Sequence, residues 1–123
     1  MTFLVAVEGD AGGWRVDQGP LTKAILGRWA GAVIRSEHPS EVRSLIWEFE
    51  TTYGPREVYL HAEGTCLYMD VWEDDAIWLA VLFRKLTPDG LDLVFCDEGY
   101  TFDVRLPPGT TEAELADLVN RAS

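Results

Sequence analysis

Residues 70–85 read Asp70-Val71-Trp72-Glu73-Asp74-Asp75-Ala76-Ile77-Trp78-Leu79-Ala80-Val81-Leu82-Phe83-Arg84-Lys85. How this stretch folds decides the architecture around it. Three consecutive acids separate two apolar runs, and the second run is apolar at odd and even positions alike. Read as a strand, Ala76–Lys85 turns Ile77, Leu79, Val81 and Phe83 to one side and Trp78, Ala80, Leu82 and Arg84 to the other. A strand that is apolar on both faces belongs in the interior of a sheet. Glu73-Asp74-Asp75 is then the loop that leads into it.

Upstream, Val58–Ala62 and Thr65–Trp72 are two alternating runs joined by Glu63-Gly64, a tight hairpin signal. That turn sets Tyr59 opposite Tyr68, His61 opposite Cys66 and Glu57 opposite Asp70. The hairpin's other face, with Val58, Leu60, Ala62, Leu67, Met69 and Val71, is core. Downstream, a loop from Leu86 to Gly90 sets Phe83 and Phe95 on one face and Arg84 opposite Asp92. A loop shorter by one residue would expose one apolar set, so burial selects the longer loop. Glu98-Gly99 turns into Tyr100–Leu106, whose Phe102 and Val104 join the same core.

The expected fold is therefore α+β. An antiparallel meander of about five strands over residues 57–106 is joined by one or two N-terminal strands, Phe3–Glu8 and Ala32–Ser36. About three helices, near 20–29, 39–53 and 111–122, pack mainly on one face. Pro20 suits the first turn of the first helix, which carries Leu21, Ile25 and Trp29 and which Gly31 would end. Val42, Leu45, Ile46, Phe49 and Tyr53 keep helical spacing in the second, which Gly54-Pro55 stops. Thr111 and Glu114 form a capping box for the third.

The chain of 123 residues is of single-domain size, and 47% hydrophobic residues argue against disorder. Its net charge of −11 is concentrated: residues 57–103 hold eleven acids against only Arg84 and Lys85. Such a field repels nucleic acid and anionic membranes and attracts a basic protein. Phe3–Val7 is too short for a signal peptide or a membrane span, so the expected location is cytoplasmic. Cys66 and Cys96 should then be reduced thiols, on strands about 10 Å apart or more and out of disulfide reach.

Candidate chemistries are weak. Glu73-Asp74-Asp75 with Asp70 offers oxygen ligands, but the alternation and distal Glu of a calcium loop are absent. His61 beside Cys66 suggests a nucleophilic dyad, without an orienting third group or an oxyanion hole. His38, His61, Cys66 and Cys96 lack the paired spacing that nucleates a zinc site. Gly9–Gly13 follows a strand, yet no Lys follows it and the GxGxxG pattern is missing. No catalytic, metal or cofactor residue is assigned, and the balance leans away from an enzyme.

The remaining candidates are partner-binding residues: Tyr59, Tyr68, Asp70, Trp72, Glu73, Asp74, Asp75 and Trp78. In the expected register Trp72 and Trp78 flank the acids on the sheet face that also carries the two tyrosines. Aromatics mixed with carboxylates suit a protein-binding surface. The plainer account is a solvated acidic turn beside aromatics covered by the chain's own N-terminal segment. In size, acidity and plan the chain is similar to the broad group of small bacterial immunity and antitoxin-like proteins, a likeness of type that covers no motif and transfers no residue. Three readings follow: a non-catalytic module docking a basic or amphipathic protein, a small-molecule-binding protein or enzyme using the aromatic face, and a homodimeric chaperone or structural subunit.

Overall fold

A computed structural model describes residues 2–36 and 43–122. Its elements are β1 (Thr2–Val7), α1 (Gln18–Arg28), β2 (Val33–Ser36), β3 (Arg43–Thr51), β4 (Gly54–His61), β5 (Cys66–Asp70), α2 (Glu73–Leu86), β6 (Leu93–Asp97), β7 (Asp103–Arg105) and α3 (Glu112–Ala122). The fold is α+β. Seven antiparallel strands lie in the order β2-β3-β4-β5-β1-β6-β7, and three helices accompany them.

Two segments exchange the secondary structure expected of them. The described part of 39–53 is not a helix but β3, which pairs with β4 through a two-residue turn from Thr51 to Gly54. Leu45, Trp47 and Phe49 are buried on its inner face. The same residues satisfy a helical spacing and a strand alternation, and pairing with β4 decides between them. Positions 39–42 lie outside the described residues, as does His38.

The segment 76–85 is not a strand but most of α2. Its acids form the first helical turn, and Arg84 and Lys85 stand in the last. This places negative charge at the positive end of the helix dipole and positive charge at the negative end. Apolarity all round fits a helix in contact with α1, α3 and the sheet. The five-residue loop between paired strands therefore does not exist, although Phe83 and Phe95 both lie in the core.

With 76–85 gone from the sheet, the interior position falls to β1. Its Phe3-Leu4-Val5-Ala6-Val7 is itself apolar on both faces, and it lies between β5 and β6. The chain leaves β5, crosses through α2 and returns on the far side of β1, a split β-α-β arrangement. The hairpin keeps its expected register, with Tyr59 opposite Tyr68 and Glu57 opposite Asp70. Gly64 ends that turn at φ +74°, and an added Cβ would meet the Cβ of Arg15 at 3.0 Å.

The inner face of the sheet is lined by Phe3, Val5, Leu45, Trp47, Val58, Leu60, Leu67, Met69 and Phe95, in one core with Leu21 and Ile25 of α1, Leu79 and Phe83 of α2, and Leu115 and Val119 of α3. Trp47 Nε1 donates to Thr22 Oγ1 at 3.1 Å, tying β3 to α1. The capping box of α3 forms as expected: the Glu114 amide donates to Thr111 Oγ1 and the Thr111 amide to Glu114 Oε1, both at 3.2 Å. No described helix lies on the opposite face, across which Ile46, Tyr59, Tyr68, Leu4 and Cys96 succeed one another.

Candidate functional site: an acidic aromatic groove

Three elements meet where α2 begins. The end of α1 contributes Arg28 and Trp29, the β3–β4 turn contributes Glu50 to Tyr53, and the start of α2 contributes Trp72, Asp74 and Asp75. They enclose an open groove of about 840 Å³. Its floor is packed: the Trp29 ring stacks on Phe49 at 4.0 Å and meets Trp78 edge-on at 5.9 Å. The Arg28 guanidinium lies 4.6 Å over the Trp78 ring and donates from Nη2 to Asp75 Oδ1 at 2.8 Å.

The rim is open. Trp72 is 52% exposed and Tyr53 73% exposed, with their rings 5.3 Å apart in a T-shaped contact. The Arg56 guanidinium lies 5.5 Å from the Trp72 ring. Trp72 caps α2 without a side-chain hydrogen bond, so the first-turn carboxylates compensate the helix dipole without an N-cap side chain. Asp75 is held by Arg28. Among the described residues, no hydrogen bond or ion pair engages the carboxylates of Glu50, Glu73 or Asp74. Trp72 also walls a second depression of about 390 Å³ that includes Asp70, Glu73 and Arg56.

The residues expected to share one surface are divided between two. Trp72, Glu73, Asp74 and Asp75 come together at the groove and its rim. Tyr59 and Tyr68 lie on the helix-free face of the sheet, stacked at 4.7 Å, with Asp70 beside Glu57 on that same face. Trp78 does not share a sheet face with Trp72, because it stands on a helix, half-buried beneath Arg28 and Trp29. Arg28, Trp29, Glu50 and Tyr53 were missed. Their only sequence signal was an Arg-Trp pair at a helix end and an aromatic before Gly54-Pro55.

The other chemistries find little support. His61 Nδ1 accepts from the Glu63 amide at 3.1 Å, which commits that nitrogen to the hairpin turn. Burial pushes the Cys66 thiol up to about 11, so it is a thiol rather than a nucleophilic thiolate at neutral pH. Tyr68 rises to about 12, through burial first and then the neighbouring Cys66. Cys66 and Cys96 are free thiols on β5 and β6, separated by β1 rather than by residues 76–85. Among the described residues no three His, Cys, Asp or Glu side chains are grouped to hold a metal ion. No described helix is long and apolar enough to cross a membrane.

Comparison with protein families, with curated proteins and with solved structures finds no match to this chain.

Proposed function

We propose that the chain is a non-catalytic binding module that docks a basic protein segment in the groove at the start of α2. One observation carries this reading: two large aromatic side chains, Trp72 and Tyr53, stand exposed over a groove lined by three carboxylates and a single guanidinium. Exposed aromatics beside open carboxylates suit an arginine or lysine side chain, which gains both ring and charge contacts. Arg28 illustrates the chemistry within the chain itself, seated on Trp78 and against Asp75. The segment 57–103, with its excess of acids, would steer such a partner from a distance. An immunity or antitoxin-like inhibitor of a basic protein is one biological form of this reading. Two free thiols fit a reducing compartment such as the cytoplasm.

The test is a titration with an arginine-rich peptide as probe, followed by tryptophan fluorescence and amide chemical shifts. Binding at low salt should perturb Trp72, Tyr53 and Asp74 and weaken as salt rises. Trp72→Ala should cost about thirtyfold in affinity, roughly 2 kcal/mol, with an unchanged melting temperature. Perturbations confined to the helix-free face around Tyr59 and Tyr68 would move the site there. An affinity that ignores Trp72→Ala would end the groove reading.

A further inference from the structure

Trp72 walls two depressions, and a different side chain meets its ring at each. Tyr53 lines the larger one, together with Glu50 and Asp74, and Arg56 lines the smaller, together with Asp70 and Glu73. Arg56 is the third residue of β4, just past the turn that carries Tyr53. Its guanidinium carbon lies 5.5 Å from the centroid of the Trp72 ring, within the range at which an indole face attracts a cation.

Arg28 supplies a comparison within the same site. That guanidinium has both a ring and a carboxylate: it lies 4.6 Å over Trp78 and bonds Asp75 Oδ1 from Nε at 3.2 Å and from Nη2 at 2.8 Å. Arg56 has the ring alone. Among the described residues its one hydrogen bond runs from Nη1 to the carbonyl of Pro55, the residue before it, at 2.8 Å. A guanidinium that shares a depression with carboxylates ordinarily pairs with one, since an ionic acceptor makes roughly twice as strong a hydrogen bond as a neutral carbonyl. Arg56 does not, and a bond to its own neighbour ties β4 to no other element. What it does hold is the ring of Trp72.

We infer that Arg56 is a tethered stand-in for the partner's basic side chain: it rests on the Trp72 ring in the free protein, and an incoming arginine takes the ring as Arg56 swings aside. The inference rests on the groove reading and adds to it a device that sets the affinity of the site. Exchange favours the incoming group, because Glu50 and Asp74 of the larger depression offer it a carboxylate that Arg56 lacks. The displaced guanidinium stays in the smaller depression with Glu73, whose carboxylate has no partner among the described residues. Because the competitor is part of the chain, it lowers affinity by a fixed factor whatever the partner's concentration. It also selects: lysine, a poorer ring partner than arginine, displaces Arg56 less readily.

The experiment is a titration of single and double variants with the arginine-rich peptide, at low and moderate salt. Removing any positive charge from an acidic chain favours a basic peptide, so Arg105→Gln on β7, four strands from β4, measures that effect alone. Arg56→Gln should exceed this control by about threefold in affinity, the size of one exposed cation–ring contact. The excess should persist at moderate salt, where the charge effect is screened. It should vanish in a Trp72→Ala background, where there is no ring to release. Equal gains from Arg56→Gln and Arg105→Gln overturn the inference, and the groove reading survives them as long as Trp72→Ala still weakens binding. A loss of affinity in Arg56→Gln also overturns it, since Arg56 would then support the Trp72 ring for the partner rather than occupy it.

Discussion

At the C-terminal end of α2, Arg84 is 3% exposed, and among the described residues its guanidinium donates to backbone carbonyls alone: Leu91 at 2.8 Å, Pro88 at 2.6 Å, Leu106 at 3.2 Å and Thr87 at 3.4 Å. At the N-terminal end the guanidinium of Arg28 is partly exposed and meets one carboxylate and two indole rings. The β6–β7 turn repeats the first pattern with opposite sign. Buried Asp97 accepts from the Thr101 amide at 2.7 Å and from the Thr101 hydroxyl. Arg84 keeps its buried Nε without a partner among the described residues, yet an ion held mainly by backbone fixes chain geometry, because its partners cannot leave without unfolding the turn. An exposed ion held by side chains can exchange partners. The turns flanking β6 are built for rigidity, and the start of α2 is built for exchange.

The largest effect should come from removing Arg84. Four carbonyls converge on it, and Arg84→Met removes that donor from all of them; the Pro88 carbonyl keeps the Leu91 amide at 3.1 Å, while the bonds lost at Leu106 and Thr87 are buried. We expect a loss of about 3 kcal/mol in urea unfolding, since an unsatisfied buried polar group costs roughly 1–3 kcal/mol. Arg84→Lys should recover part of this, because an ammonium has three donors where the guanidinium has five. A loss below about 0.5 kcal/mol would put Arg84 in the same class as a surface residue.

Asp97 comes next. Burial raises its pKa, but hydrogen bonds from the Thr101 side chain and from the Thr101 and Phe102 backbone outweigh it, leaving the carboxyl below its ordinary value. Its contribution is therefore present above the ordinary carboxylate range and is lost as pH falls through the lowered value. Melting temperature should drop on acidification, and Asp97→Asn should flatten that limb while costing about 1.5 kcal/mol at neutral pH. The alkaline limb runs the other way. Cys66 and Tyr68, raised to about 11 and about 12, contribute stability below their ordinary values that is lost as pH rises through the raised ones.

The same contrast explains what could be read from the sequence. The hairpin of β4 and β5 was legible in register, because its alternation and Glu63-Gly64 agree. So were α1 and α3, through Pro20 and the Thr111–Glu114 box. Residues 73–86 were misread because a run apolar on all sides suits either an interior strand or a helix covered on all sides. Fourteen residues with acids first and bases last is the length and charge order of a helix. Taking that run as the interior strand hid the role of Phe3–Val7. At the site, Trp72 and its acids were visible as neighbours in sequence. Arg28, Glu50 and Tyr53 reach them only through the packing of α1 and β3, which no local pattern encodes.

Arg28→Ala tests the exchangeable end. The side chain is about one-third exposed, so its ion pair with Asp75 is screened, and its contact with Trp78 contributes a similar amount. We expect a loss of about 1 kcal/mol by thermal or urea unfolding. The groove then gains a net negative charge, so affinity for an arginine-rich peptide should rise or hold while stability falls. If stability and peptide affinity fall together, Arg28 shapes the groove rather than filling it.

The smallest stability effect belongs to Glu73→Gln with Asp74→Asn, which leaves Asp75 and its arginine in place. Two opposing terms act. Each carboxylate in the first turn of α2 gains a few tenths of a kcal/mol from the helix dipole, and their mutual repulsion takes back a similar amount. We expect the folded chain to change by less than about 0.5 kcal/mol. Peptide association should respond much more, because neither carboxylate has a partner among the described residues and both act at long range. The on-rate should fall, and its dependence on salt should flatten, with little change in the off-rate. A stopped-flow series from low to moderate salt separates the two rates. An unchanged on-rate would mean that these acids serve only the helix, and that the exposed Trp72 and Tyr53 stand over a surface with no electrostatic role.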